Sequence, residues 1–202
     1  ICKAALQREC GFADDPNRPL IGMVTRLAEQ KGLDLVHAAM PWMIGETDAQ
    51  FVLLGSGQPY LESAFAGYAQ ARPDRVNAQL RFDAALAQRI YAGSDAFLMP
   101  SRYEPGGLGQ LIALRYGAVP IVRATGGLDD TVREGWDGNG FRFHPYETGM
   151  LIDTIARCLT AFRDRDGWAM LRARGMREDH SWESSAREYV AMYGWALRSI
   201  GR

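Results

Sequence analysis

Long hydrophobic runs are missing from this sequence. Nothing in it approaches the roughly 20 apolar residues that a membrane-spanning helix needs, and its first residues do not resemble a secretory leader. Cysteine is scarce: Cys2, Cys10 and Cys158 are odd in number, far apart and without a C-x-x-C pair. That pattern excludes a disulfide framework and a zinc site of the usual spacing, and reads as a reduced, cytosolic setting. Histidine occurs only as His37, His144 and His180, too dispersed for a ligand cluster, so no metal and no resident cofactor is expected. Charge of one sign is also lacking. With 23 Lys and Arg against 24 Asp and Glu, the formal net charge is −1. Such a chain has no long-range attraction for nucleic acid or an acidic membrane, so any phosphate binding must come from cations placed locally. No internal repeat or low-complexity tract is present.

What remains is a chain of 202 residues with 47% hydrophobic content, enough for one domain with its own core. Short aliphatic runs recur at 20–24, 50–54, 79–82, 96–99 and 119–122, each followed by Gly, Pro or charge and then a helical pattern. That alternation predicts a doubly wound parallel α/β sheet. After Lys31, Leu33, Val36, Met40 and Met43 stand at helical spacing and are expected in the core. Further helices are expected over 61–71, 84–92, 148–163 and 168–177. A last one is capped by Ser181, with Glu183 in its first turn. The first residues, Cys2 to Gln7, follow Ile1 without a methionine and read as the end of an interdomain connection, as in an excised domain.

The most informative segment is Pro100-Ser101-Arg102-Tyr103-Glu104-Pro105-Gly106-Gly107-Leu108-Gly109-Gln110, where an apolar strand ends on an acid, then glycines, then a helix expected to begin near Gly107. Unpaired N–H groups at a helix start hold anionic oxygens, and glycines let the ligand come close. By itself this is equally a steric turn. A second element, running from Gly22 to Gly32, ends a strand with Arg26 and then Lys31. In an open α/β sheet, ligands bind outside the carboxyl ends of the strands, so Arg26, Lys31 and Glu104 converge if their strands are parallel neighbours. On spacing alone, two solvated turn charges explain Arg26 and Lys31 as well as a phosphate site does, and Glu104 is equally an acid satisfied by local N–H groups.

The segments TRLAEQKGLDL, FVLLGSG, PSRYEPGGLGQL, ALRYGAVPIVRATGGLDDTV and HSWESSAREY resemble, in the same order and over nearly the whole chain, the C-terminal half of bacterial glycogen and starch synthases. The resemblance implies a GT-B enzyme of two facing Rossmann-like domains, of which this chain is the donor half. It implies transfer of glucose from ADP-glucose to the non-reducing end of an α-1,4-glucan such as glycogen, with retention. It makes Arg26 and Lys31 the phosphate-binding cations and Glu104 the active-site carboxylate. Gly106 stands where the family's motif has cysteine, a departure that loosens the turn. Ile112 stands where related retaining transferases carry a second glutamate, which favours the glycogen type.

Further expected substrate contacts are Gly106 and Gly107, with the backbone N–H groups of Leu108 and Gly109 for the terminal phosphate. Gly55 and Gly57 stand beside the nucleotide, or simply in a tight turn. Phe82 stands near the base, or equally in the core, and Thr125 and Gly126 near the sugar. The expected organisation is 1–18 as the end of a connection, 19–178 as the donor domain, and 179–202 as a helix crossing back to the N-terminal domain of the same protein. That crossing would leave Trp182 and Trp195 exposed. A transferase using a UDP-sugar, or a non-catalytic nucleotide-binding module, remains an alternative.

Overall fold

In the computed structural model, which describes residues 1–201, four of the five aliphatic runs form the central strands of a six-stranded sheet. The strands are β1 (Leu20–Val24), β2 (Gln50–Leu54), β3 (Val76–Gln79), β4 (Ala96–Met99), β5 (Val119–Arg123) and β6 (Phe141–Phe143). All pairings are parallel, in the order β3-β2-β1-β4-β5-β6. The central strands β1, β2, β4 and β5 are mostly apolar because both their faces are covered. Ile21, Met23, Phe51, Leu53 and Leu98 enter one core with helices α2 (Leu33–Glu46), α3 (Pro59–Ala71), α7 (Thr148–Arg163) and α8 (Arg165–Arg177). Leu20, Val52, Leu54 and Phe97 alternate onto the other, against α1 (Cys2–Glu9), α4 (Ala84–Gly93) and α5 (Gly109–Tyr116). Leu33, Val36, Met40 and Met43 are all buried, as their spacing predicts.

Three elements differ from the sequence expectation. The third strand is Val76–Gln79 rather than 79–82. As an edge strand it is fully buried only at Val76, so the apolar Leu80 and Phe82 beyond its end mislead a reading by hydrophobicity. β6 is three residues long with a half-exposed Arg142 between two buried phenylalanines, too short to stand out. The opening segment is helical: α1 packs Leu6 into the second core. Lys3 pairs with Asp95 at 2.6 Å, and Asp95 also accepts from the Leu20 N–H at 2.9 Å. Burial pushes the Asp95 carboxyl upward, and Lys3 opposes that shift.

The last helix, α9 (Trp182–Ser199), follows a short α6 (Gly127–Thr131) and the pair α7 and α8. Ser181 caps it, accepting from the Ser184 N–H at 3.2 Å. No residue of α9 is buried, and Trp182 and Trp195 are 86% and 64% exposed, as expected. Residue 202, the end of the expected C-terminal segment, lies outside the described residues. Among those described, no helix is long and apolar enough to cross a membrane.

One glycine fixes how the β1 and β4 loops meet. Gly32 has φ 76°, and a Cβ there lies 2.1 Å from the Pro100 carbonyl oxygen. Gly32→Ala combines a left-handed backbone with a backbone clash, and is expected to cost at least about 2 kcal/mol. The melting temperature should fall by roughly 4 to 8 °C; an unchanged Tm contradicts the packing described.

Candidate functional site

β1 and β4 lie side by side at the centre of the sheet, where the strand order reverses. The crevice outside their carboxyl ends is the place where open α/β sheets bind ligands. A 3-10 turn after β1, Glu29–Lys31, delivers Lys31, and the loop after β4 delivers Ser101 and Glu104. Lys31 Nζ stands 2.5 Å from Glu104 Oε2, and the Ser101 hydroxyl donates to the same oxygen at 3.3 Å. Glu104 is 8% exposed, so the carboxylate is withdrawn from water yet charge-paired. These three residues line a polar cavity of about 160 Å³ together with Thr25, Gly107, Leu108 and Gly109.

Gly107 has φ 71°, a left-handed conformation that cannot continue a right-handed helix. α5 therefore begins at Gly109, two residues after Gly107. Leu108 is its N-cap residue and offers no side-chain cap, so the first-turn N–H groups have no partner within the helix. Buried Gln110 holds this loop from behind, donating from Nε2 to the Gly106 and Gly107 carbonyls and to Thr131 Oγ1, each at 3.1 Å. Thr125 and Gly126 line neither this cavity nor its neighbour. Gly126, at φ 49°, passes so close to Glu104 that a Cβ lies 2.2 Å from the Glu104 carbonyl. The Gly127 N–H donates to that carbonyl at 3.2 Å. This loop supports Glu104 from its backbone side.

A second cavity of about 520 Å³ adjoins the first and shares Val24, Thr25 and Tyr91 with it. Arg26, Gly55, Ser56, Arg81, Phe82, Asp83 and Gln88 are among the residues that line the remainder. Phe82 is not a core residue: it is 89% exposed and forms part of this wall. Arg26 is exposed here and reaches Gln30 at 3.5 Å, so it does not join the Lys31 and Glu104 pair but stands at the next subsite. Gly55 lines the cavity and Gly57 does not, since Gly57 lies flat against Leu27, where a Cβ would be 2.1 Å from the Leu27 carbonyl. Ile112 is half-buried on α5 and lines neither cavity.

Behind the crevice stands a brace that sequence reasoning missed. The Tyr146 hydroxyl donates to Asp34 Oδ1 at 2.5 Å, and the Arg102 guanidinium sits 4.2 Å over the Tyr146 ring. Burial first, and then the bond to Asp34, push the Tyr146 phenol upward, so it remains a donor throughout the neutral range. Arg123, at the end of β5, donates to the Arg102 carbonyl at 2.7 Å and to the His144 carbonyl at 3.1 Å. The Arg102 N–H in turn donates to the Gln30 carbonyl at 2.9 Å. The turn carrying Lys31 and the loop carrying Glu104 are thus tied to the sheet's far side.

No cysteine takes part. Burial pushes the Cys10 thiol up to about 12 and the Cys158 thiol further, so neither is a nucleophile at neutral pH. Among the described residues no group of three or more His, Cys, Asp or Glu is placed to hold a metal ion.

A family model described as "Glycosyl transferases group 1" matches residues 18–161. The chain belongs to this family. Curated relatives of this glycosyltransferase chain include the glycogen synthase of Anaeromyxobacter dehalogenans strain 2CP-C, 56% identical over 95% of this chain and 41% of its own length. That of Gloeobacter violaceus is 48% identical over 98% of this chain and 44% of its own. The chain therefore spans about two fifths of the length of the curated relatives it matches. Among solved structures, the catalytic domain of starch synthase IV from Arabidopsis thaliana, bound to ADP and acarbose, superposes with a TM-score of 0.87. The identity there is 38%, over all of this chain and 42% of that one. A sucrose-phosphate synthase from Thermosynechococcus elongatus, at 24% identity over 97% of this chain and 49% of that one, shares the fold with a TM-score of 0.68. The doubly wound sheet is that of a GT-B glycosyltransferase, as expected.

Proposed function

We propose that this chain is the donor-binding domain of a glycogen synthase that transfers glucose from ADP-glucose to the non-reducing end of an α-1,4-glucan with retention. The observation that carries the reading is the Lys31, Ser101 and Glu104 cluster at the mouth of an uncapped helix in the central crevice. It is supported by relatives named glycogen synthase and by a 38% identical neighbour holding ADP. In this reading the diphosphate lies across the start of α5, with Lys31 and Arg26 as fixed cations for the charge that grows on it as the glycosidic bond breaks. Lys31 acts as a point charge and Arg26 as a planar fork. Glu104 faces the sugar and offsets positive charge developing at its anomeric carbon. Phe82 and the wider cavity take the nucleoside.

The small cavity presents one carboxylate, Glu104, and not a flanking pair, which disfavours the double displacement of retaining glycosidases. Departure and attack on the same face, with the leaving phosphate taking the acceptor's proton, fits this residue set. The acceptor cleft belongs to an N-terminal domain of the same protein, against which the exposed face of α9 packs. Domain closure then aligns the reactants and excludes water. Calorimetric titration of this chain tests the donor assignment: ADP is expected to bind, more tightly than UDP and without added divalent metal. Preference for UDP overturns the glycogen synthase assignment in favour of a UDP-sugar transferase.

A further inference from the structure

Tyr91, on α4, is the one residue among the described chain's aromatic side chains that lines both cavities of the crevice. Its ring is fixed: it stacks on Phe97 with centroids 4.4 Å apart and on Tyr116 at 6.3 Å, and the residue is only 7% exposed. A tyrosine so placed normally finds a partner for its hydroxyl. Here burial alone pushes the phenol up to about 12, with no hydrogen bond contributing. The hydroxyl points to the start of α5, since a Cβ built on Gly109 lies 3.4 Å from Tyr91 Oη. An O–H donor without an acceptor thus stands beside the free N–H groups of that helix, where the small polar cavity meets the large one. The hydroxyl and those N–H groups donate towards the junction, as Lys31 does beside Glu104, and an anionic oxygen is the partner that suits them.

We propose that Tyr91 is a donor-binding residue whose hydroxyl donates a hydrogen bond to a diphosphate oxygen at the junction of the two cavities. The proposal rests on the nucleotide-sugar reading above and adds to it a neutral, pre-aimed donor. The same ring wedges between sheet and crevice, and its two ring stacks hold the hydroxyl in place for the ligand.

Tyr91→Phe deletes the hydroxyl alone and keeps both ring stacks. Titrated with ADP, the variant is expected to bind about tenfold more weakly than the native chain. Affinity for adenosine, which has no phosphate, should be unchanged, and the melting temperature unchanged or higher. ADP affinity within twofold of native overturns the proposal. Equal weakening towards adenosine also overturns it, as does a melting temperature several degrees lower, because either assigns the hydroxyl another role. Lys31→Ala, run alongside, separates this from the parent reading. If Lys31→Ala loses ADP and Tyr91→Phe does not, only the Tyr91 assignment falls. If the native chain binds no ADP, both fall.

Discussion

Glu104→Gln in the full-length enzyme is expected to lower kcat by about 10² to 10³ while leaving the affinity for ADP within about threefold. Glutamine keeps the shape of the side chain and an oxygen for Lys31, which stands 2.5 Å away, but it removes the negative charge. A carboxylate that is 8% exposed acts through a medium that screens poorly, so its charge matters most where positive charge develops during reaction. Ground-state binding of the nucleotide depends on the cations and the helix start instead. The competing role is structural, an acid that merely neutralises Lys31 at a strand end. In that case the variant loses thermal stability and keeps its turnover when folded. Measuring kcat, ADP affinity and Tm on one preparation separates the two, and near-native kcat in a stable variant removes Glu104 from the chemistry.

Lys31→Ala should weaken ADP binding by about 10-fold to 150-fold, the loss of one charge-assisted hydrogen bond of roughly 1.5 to 3 kcal/mol. The side chain is 23% exposed and its carboxylate partner 10%, which places the pair between a screened surface bridge and a buried one. Deleting Lys31 therefore also leaves Glu104 without its cation, and a modest fall in Tm accompanies the loss of affinity. The affinity change distinguishes a ligand cation from a turn residue. If calorimetry finds ADP affinity unchanged while Tm falls, Lys31 serves Glu104 and not the donor.

Much of the fold was legible because its strands are continuous apolar runs ended by glycine or charge, and helix-spaced residues such as Leu33, Val36, Met40 and Met43 alternate with them. α1 escaped because its eight residues bury only Leu6 and Gln7, leaving little periodicity to read. β3 was displaced because an edge strand needs few apolar residues, whereas Phe82 beyond it is apolar for the sake of the cavity. The Lys31 and Glu104 pair was legible only conditionally. Each residue marks a strand end, but their meeting requires β1 beside β4, a pairing across 73 positions that topology decides. Tyr91 and Tyr146 carried no usable signal. A tyrosine at helical spacing reads as core, and Tyr146 finds Asp34 across 112 positions.

The central claim is that the crevice outside β1 and β4 binds the diphosphate of a nucleotide-sugar. Amide chemical-shift mapping of this chain during titration with ADP tests it most directly. Shifts are predicted to concentrate at Arg26, Lys31, Gly55, Phe82, Tyr91, Glu104 and the run from Gly106 to Gln110, with α8 and α9 unmoved. Shifts centred on the cavity that Arg115, Arg177 and His180 line between α5 and the start of α9, with the Glu104 and Gly106 to Gln110 amides silent, contradict it.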